Sequence, residues 1–124
     1  MSAGTVLQAA VVAHLGGLGR VFAAAPMRAA LPYVVVEDPG LAADDAVGVA
    51  ARTGSIAIAC VDGMAASARE RLATVEAAMA QLPRDLAGGW RVTALRLARS
   101  QMAQGRNERW TATGVFAVRM YRVN

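Results

Sequence analysis

WRVTALRLARSQMAQGRNERWTATGVFAVRMYRV, residues 90–123, alternates apolar and polar positions in two long runs broken once in the middle. Trp90 to Gln101 and Glu108 to Val123 read as strands, and Ala103-Gln104-Gly105-Arg106-Asn107 between them reads as a hairpin turn. In the second run Trp110, Phe116, Val118 and Met120 fall on one face, while Thr111, Thr113 and Arg119 fall on the other. That is the period of a strand with one buried and one solvated side.

Upstream, Met64, Ala68, Leu72, Val75, Met79 and Leu82 recur at intervals of three and four, with Arg69, Glu70, Arg71 and Glu76 off the stripe. This is an amphipathic helix, and Pro83 ends it. Before it, Ser55 to Val61 alternates as a strand between Gly54 and Asp62-Gly63. The segment from Glu37 to Arg52, rich in Gly, Ala and Asp, reads as a long loop, poorly ordered in a free subunit and fixed on assembly. Pro32-Tyr33-Val34-Val35-Val36 is β-branched and strand-forming, and Arg20-Val21-Phe22 is a shorter strand. Thr5 to Leu18 has helical spacing, with Gly16-Gly17 as its stop. Only Gln8 and His14 are polar between Val6 and Leu15, so this first helix reads as buried on more than one side, in part by a neighbouring subunit.

The order is helix, three strands, helix, two strands. Few helices among runs of strands predict an α+β fold, with two helices packed on one face of a largely antiparallel sheet of four to five strands. At 124 residues, of which 56% are hydrophobic and 18% charged, the chain supports one domain over residues 1–124 with one core.

All thirteen basic residues are arginine. Without lysine there is no Schiff base and no phosphate-binding Walker lysine, which excludes several enzyme classes. Residues 1–62 carry three Arg against five acids, and residues 63–124 carry ten Arg against four, so a net −2 is followed by a net +6. Such polarity suits acidic partners. Cys60 is the single cysteine, so no intrachain disulfide forms and the expected compartment is the cytoplasm. The uncharged residues 1–19 lack a basic leader and are interrupted at Gly16-Gly17, which argues against a signal peptide or a membrane anchor.

One His and one Cys do not build a triad or a metal site, so no catalytic, cofactor-binding or metal-ligating residue is assigned. His14 reads as a hydrogen-bonded side chain in the core or at a subunit contact, and Cys60 as a small buried hydrophobe. Glu37, Asp38, Asp44 and Asp45 match no calcium-loop spacing and read as a solvated loop or a protein contact. Gly16-Gly17-Leu18-Gly19 precedes a strand rather than opening a helix, so it fails as a dinucleotide-binding turn. The arginines of the last third, with Trp110 and Tyr121 among them, leave two readings: a partner-facing sheet surface, or a nucleic-acid-binding module using the C-terminal hairpin. The protein-facing reading assigns Arg99, Arg106 and Arg109 to contacts with acids such as Glu37, Asp38, Asp44 and Asp45 on an adjacent chain, or with acids on a different partner protein.

The Leu7-Gln8-Ala9-Ala10-Val11-Val12 helix, Gly19-Arg20-Val21-Phe22 with the small-residue loop around Pro26, and Leu31-Pro32-Tyr33-Val34-Val35-Val36 come in a recognisable order. With the strand, alanine-rich helix and C-terminal hairpin that follow, they make the sequence resemble the tail-terminator, or tail-completion, proteins of long-tailed phages, including the lambda-type minor tail protein U group and relatives in prophages and gene transfer agents. The chain departs from many relatives at Ala59-Cys60-Val61-Asp62-Gly63, where those carry an aromatic or His-rich strand and a Ser-Arg pair. The resemblance implies a subunit of a hexameric ring, assembled in the bacterial cytoplasm. Such a ring caps the tail tube, ends its polymerisation and presents the joining surface for the head-tail connector or head-completion protein. Its implied partners are further copies of the chain, the tail tube protein and the connector; DNA passes through without sequence-specific binding, and no membrane is involved.

Overall fold

The computed structural model describes residues 1–123. The elements run α1 (Ala3–Leu15), β1 (Val21–Phe22), β2 (Tyr33–Val36), β3 (Gly40–Ala43), β4 (Val49–Asp62), α2 (Ala65–Met79), β5 (Arg91–Gln104) and β6 (Trp110–Val123). The architecture is α+β, with a six-stranded sheet in the order β1-β2-β4-β6-β5 and β3 also paired to β4. Only β1 with β2 is parallel; the other pairings are antiparallel.

Three 14-residue strands, β4, β6 and β5, form the spine. Both helices pack on one face of it, where Val34, Val36, Ile56, Ile58, Cys60, Phe116, Val118 and Met120 meet Leu7, Val11 and Leu15 of α1 and Leu72, Val75 and Met79 of α2. Gly114 opens the space for α2: a Cβ there would sit 2.9 Å from Leu72 Cδ1 and 3.1 Å from Leu97 Cδ1. Among the described residues the opposite face has no helix. At one corner Tyr33, Val35 and Val61 form a second small cluster with Phe22, Ala29 and Leu31.

The structure corrects the sequence reading in four places. The sheet has six strands rather than four or five, because the expected long loop contains β3 and the first residues of β4. β2 and β3 are two halves of one broken strand: Tyr33–Val36 pairs with Ile58–Val61, and Gly40–Ala43 pairs with Arg52–Ser55, on the same edge of β4. Backbone pairing, not side-chain burial, holds β3, so a segment of Gly and Ala shows no hydrophobic period. Gly54 permits it, since a Cβ there would lie 1.9 Å from the Gly40 carbonyl oxygen.

Third, Met64 lies just before α2 and is 65% exposed, while the other five members of the stripe are buried. Fourth, within a single subunit α1 is buried along one side only. Val6, Leu7, Val11 and Leu15 are buried, while Thr5, Ala9 and Ala13 face outward, because alanine is apolar without being large enough to demand burial.

Candidate assembly interface

The hairpin tip is built by conformation. Arg106 to Arg109 form a tight turn in which the Arg109 amide donates to the Arg106 carbonyl at 3.2 Å. Its two central residues, Asn107 and Glu108, have φ of 56° and 58°. Positive φ at both positions matches the right-handed twist of the flanking strands. Arg106 is exposed, whereas Arg109 folds back: its Nη1 donates to the Tyr33 hydroxyl at 3.1 Å and its guanidinium lies 5.9 Å from the Tyr33 ring centroid. Phe22 meets the same ring edge-on at 5.9 Å. Arg109 is thus held by its own subunit. Arg99 lies exposed on β5 opposite Val115, on the helix-free side, following a bulge.

Glu37 and Asp38 occupy the break between β2 and β3, both exposed. Asp44 and Asp45 follow β3 in its turn to β4. Asp45 is committed within the chain: its carboxylate accepts the Ala51 amide at 2.9 Å and Arg52 Nη1 at 2.7 Å. The Ala51 amide, and after it Arg52, holds that carboxyl below its ordinary range. Glu37, Asp38 and Asp44 are left without side-chain ion pairs among the described residues. Asp44 lies level with Ala51, near the start of β4, and the hairpin tip lies beyond its far end at Asp62, so roughly 40 Å of strand separates them. The fold therefore does not bring the predicted acids and arginines together within one subunit.

The structure adds a feature missed in the sequence. Trp90, 3% exposed, has two guanidinium groups against its ring, that of Arg52 at 5.4 Å and that of Arg122 at 4.7 Å from the centroid. Gly88 and Gly89, with φ of 72° and 80°, turn the chain into this position, and the Gly-Gly-Trp sequence was the available signal. Two apolar grooves are also open. One, of about 520 Å³, runs between Ala9, Ala13 and His14 of α1 and the Leu82-Pro83-Leu86 connection. The other, of about 480 Å³, lies on the helix-free side between Ala23–Ala25 and Val35, with Glu37 and Asp38 at its rim.

The residues weighed for chemistry have structural places. His14 Nε2 donates to the Ala78 carbonyl at 2.7 Å, tying α1 to the end of α2. Burial pushes the Cys60 thiol up to about 12. Among the described residues no group of three His, Cys, Asp or Glu side chains converges as metal ligands, and no helix is long and apolar enough to cross a membrane. Trp110 is half-buried against the core instead of standing free among the arginines, which leaves less of its ring to stack on a base.

What these surfaces offer is contact, and the comparisons agree in kind. No curated protein sequence matches the chain. Its fold is similar to that of a chain in the virion of a native gene transfer agent particle, with a TM-score of 0.72, 22% identity, and 98% of this chain and 99% of that chain covered. The sequence matches the family model described as tail completion protein gp17 over residues 6–121. That match runs from α1 almost to the end of β6, and the chain belongs to this family of structural phage-tail proteins.

Proposed function

We propose that the protein is a ring-forming tail terminator: copies close into a hexamer that caps the tail tube, stops its polymerisation and offers the surface to which the head-tail connector or head-completion protein docks. The observation that carries this reading is the separation of unlike surfaces on one subunit. Exposed acids line one edge of the sheet, and arginines line the other edge and its tip. A contact between two different patches of the same subunit is head-to-tail, and head-to-tail contacts close into rings when the rotation allows. Family membership supplies the particle in which such a ring is useful. Assembly takes place in the bacterial cytoplasm, and DNA passes the ring without sequence readout.

Light scattering across a wide concentration range, alone and with tail tube protein, tests the proposal. The expected species has six times the 12.8 kDa protomer mass. A monomer under every condition overturns it. The rival reading, a nucleic-acid module using the basic hairpin, predicts instead that the protein binds DNA appreciably and that the affinity falls steeply with salt. The half-burial of Trp110 against the core weighs against that reading, because base-stacking uses an exposed ring.

A further inference from the structure

Besides the two-residue β1, two strands of the sheet have an open outer edge in the protomer. Among the described residues no strand covers the outer side of β3 or of β5. Unpaired edges template the addition of another strand unless charge, proline or a bulge blunts them. β5 is blunted over its first half, where register shifts at Val92/Ala94 and Leu97/Arg99 accompany Arg91 and Arg96. From Arg99 to Gln104 its register is unbroken, and no charge or proline follows Arg99. β3, Gly-Leu-Ala-Ala, has neither charge nor proline within it.

We infer that the subunits join by strand addition: β3 of one copy pairs antiparallel with the Arg99–Gln104 half of β5 in the next, making one sheet continuous around the ring. This rests on the ring reading above and specifies its contact. Three independent features fix the geometry. The first is direction. β3 is antiparallel to β4, β4 to β6 and β6 to β5, so β3 and β5 run oppositely within a subunit. Rotation about an axis inclined to the strands, as in a closed barrel, keeps their sense and staggers neighbouring copies along the strand, so β3 of the second copy meets β5 of the first antiparallel and displaced towards the hairpin tip.

The second is the face each side chain takes. Leu41 lies opposite Gly54 and packs with the helix-side core, and Met102 lies opposite Ala112 and packs there too. Setting Leu41 across from Met102 keeps the helix side of the two sheets continuous. A slip of one residue would turn every side chain to the wrong face.

The third is charge. The Leu41–Met102 register sets Ala42 across from Gln101 and the free Asp44 across from Arg99. Continued past β3, it brings Glu37 beside Arg106, the exposed arginine of the tip, next to the groove that Glu37 and Asp38 rim. Opposite charges facing each other across strands favour this alignment.

The test is covalent capture in the full-length protein. Ala42→Cys with Gln101→Cys, treated with an oxidant or a short bismaleimide, is expected to give a ladder of linked subunits ending at the closed ring. Ala42→Cys with Ala94→Cys, on the bulged half of the same edge, is expected to give none. In a second arm, Asp44→Arg and Arg99→Asp each weaken assembly about tenfold or more, and the two together restore it. A ring that forms without the Ala42–Gln101 link, or that links equally through Ala94, overturns the strand pairing and leaves the ring standing. Singly charged variants that assemble normally overturn the pairing as well. A protein that stays monomeric with and without tail tube protein overturns both.

Discussion

At Gly54 one missing carbon decides whether β3 exists. The Gly40 carbonyl oxygen sits where the Cβ of any other residue would be, at 1.9 Å, and the obstacle is backbone that cannot rotate away. Gly54→Ala is expected to cost about 1–3 kcal/mol in chemical denaturation, the range for overpacking a fitted site, and to raise hydrogen exchange across residues 40–43. Unchanged stability and protection would mean that the approach of β3 to β4 is looser than this geometry. Cys60 shows the opposite kind of residue, one fixed by its surroundings and offering no reactivity. Desolvation raises its thiol from an ordinary 9.0 to about 12, with Arg71 opposing weakly. The folded state then holds a proton that the unfolded chain releases above its ordinary value. The contribution of Cys60 to stability is therefore fully present below pH 9.0 and declines as pH rises from there towards about 12. At pH 8 the native protein should resist thiol alkylation, and unfolding in denaturant should expose the group; rapid labelling of the native state would contradict the burial.

Between elements, the main joint is α2 on the sheet, where Leu72 fills the space that Gly114 leaves open. Leu72→Ala is expected to lose ~2–5 kcal/mol, as for other buried leucines, and a loss well under ~1 kcal/mol would show that the helix does not seat there. This joint was legible in the sequence because large apolar side chains at helical and strand periods record which faces are buried. The Leu72-Val75-Met79 stripe and the Phe116-Val118-Met120 alternation have that property, as does the Val34-Val35-Val36 run. β3 was not legible, since its pairing uses backbone groups that every residue carries, and its Gly and Ala side chains give no period. The candidate interface was legible in part. Charge counting found the acids and the arginines and their segregation along the chain, but it did not reveal that Asp45 is spent on Arg52 or Arg109 on Tyr33. Both partnerships depend on turns whose direction is set in three dimensions.

Across the whole molecule, the difference between Arg106 and Arg109 separates the cost of folding from the cost of assembly. The two arginines flank one turn, and the sequence alone gave them the same task. Arg109 donates to Tyr33 and covers its ring, next to the Phe22–Tyr33 contact that closes the small cluster on the helix-free side. Arg106 touches no side chain of its own subunit by hydrogen bond or ion pair among the described residues, and it is exposed at the far end of the hairpin from the acidic turn. Reversing its charge therefore has nothing to disturb in the isolated fold. Arg106→Glu is expected to leave unfolding stability within ~0.5 kcal/mol of the parent, as for other surface changes, while ring formation and particle assembly fall. Arg109→Glu is expected to lower both, since it removes a cation from the Tyr33 face and leaves a carboxylate beside an apolar cluster, at about 1 kcal/mol or somewhat more for the lost hydrogen bond and ring contact. Denaturation midpoints measured beside light-scattering mass distinguish the two variants. Equal loss of stability in both would place Arg106 in the subunit's own structure. Normal assembly of Arg106→Glu with a loss of DNA binding would instead move the hairpin tip from protein contact to nucleic-acid contact.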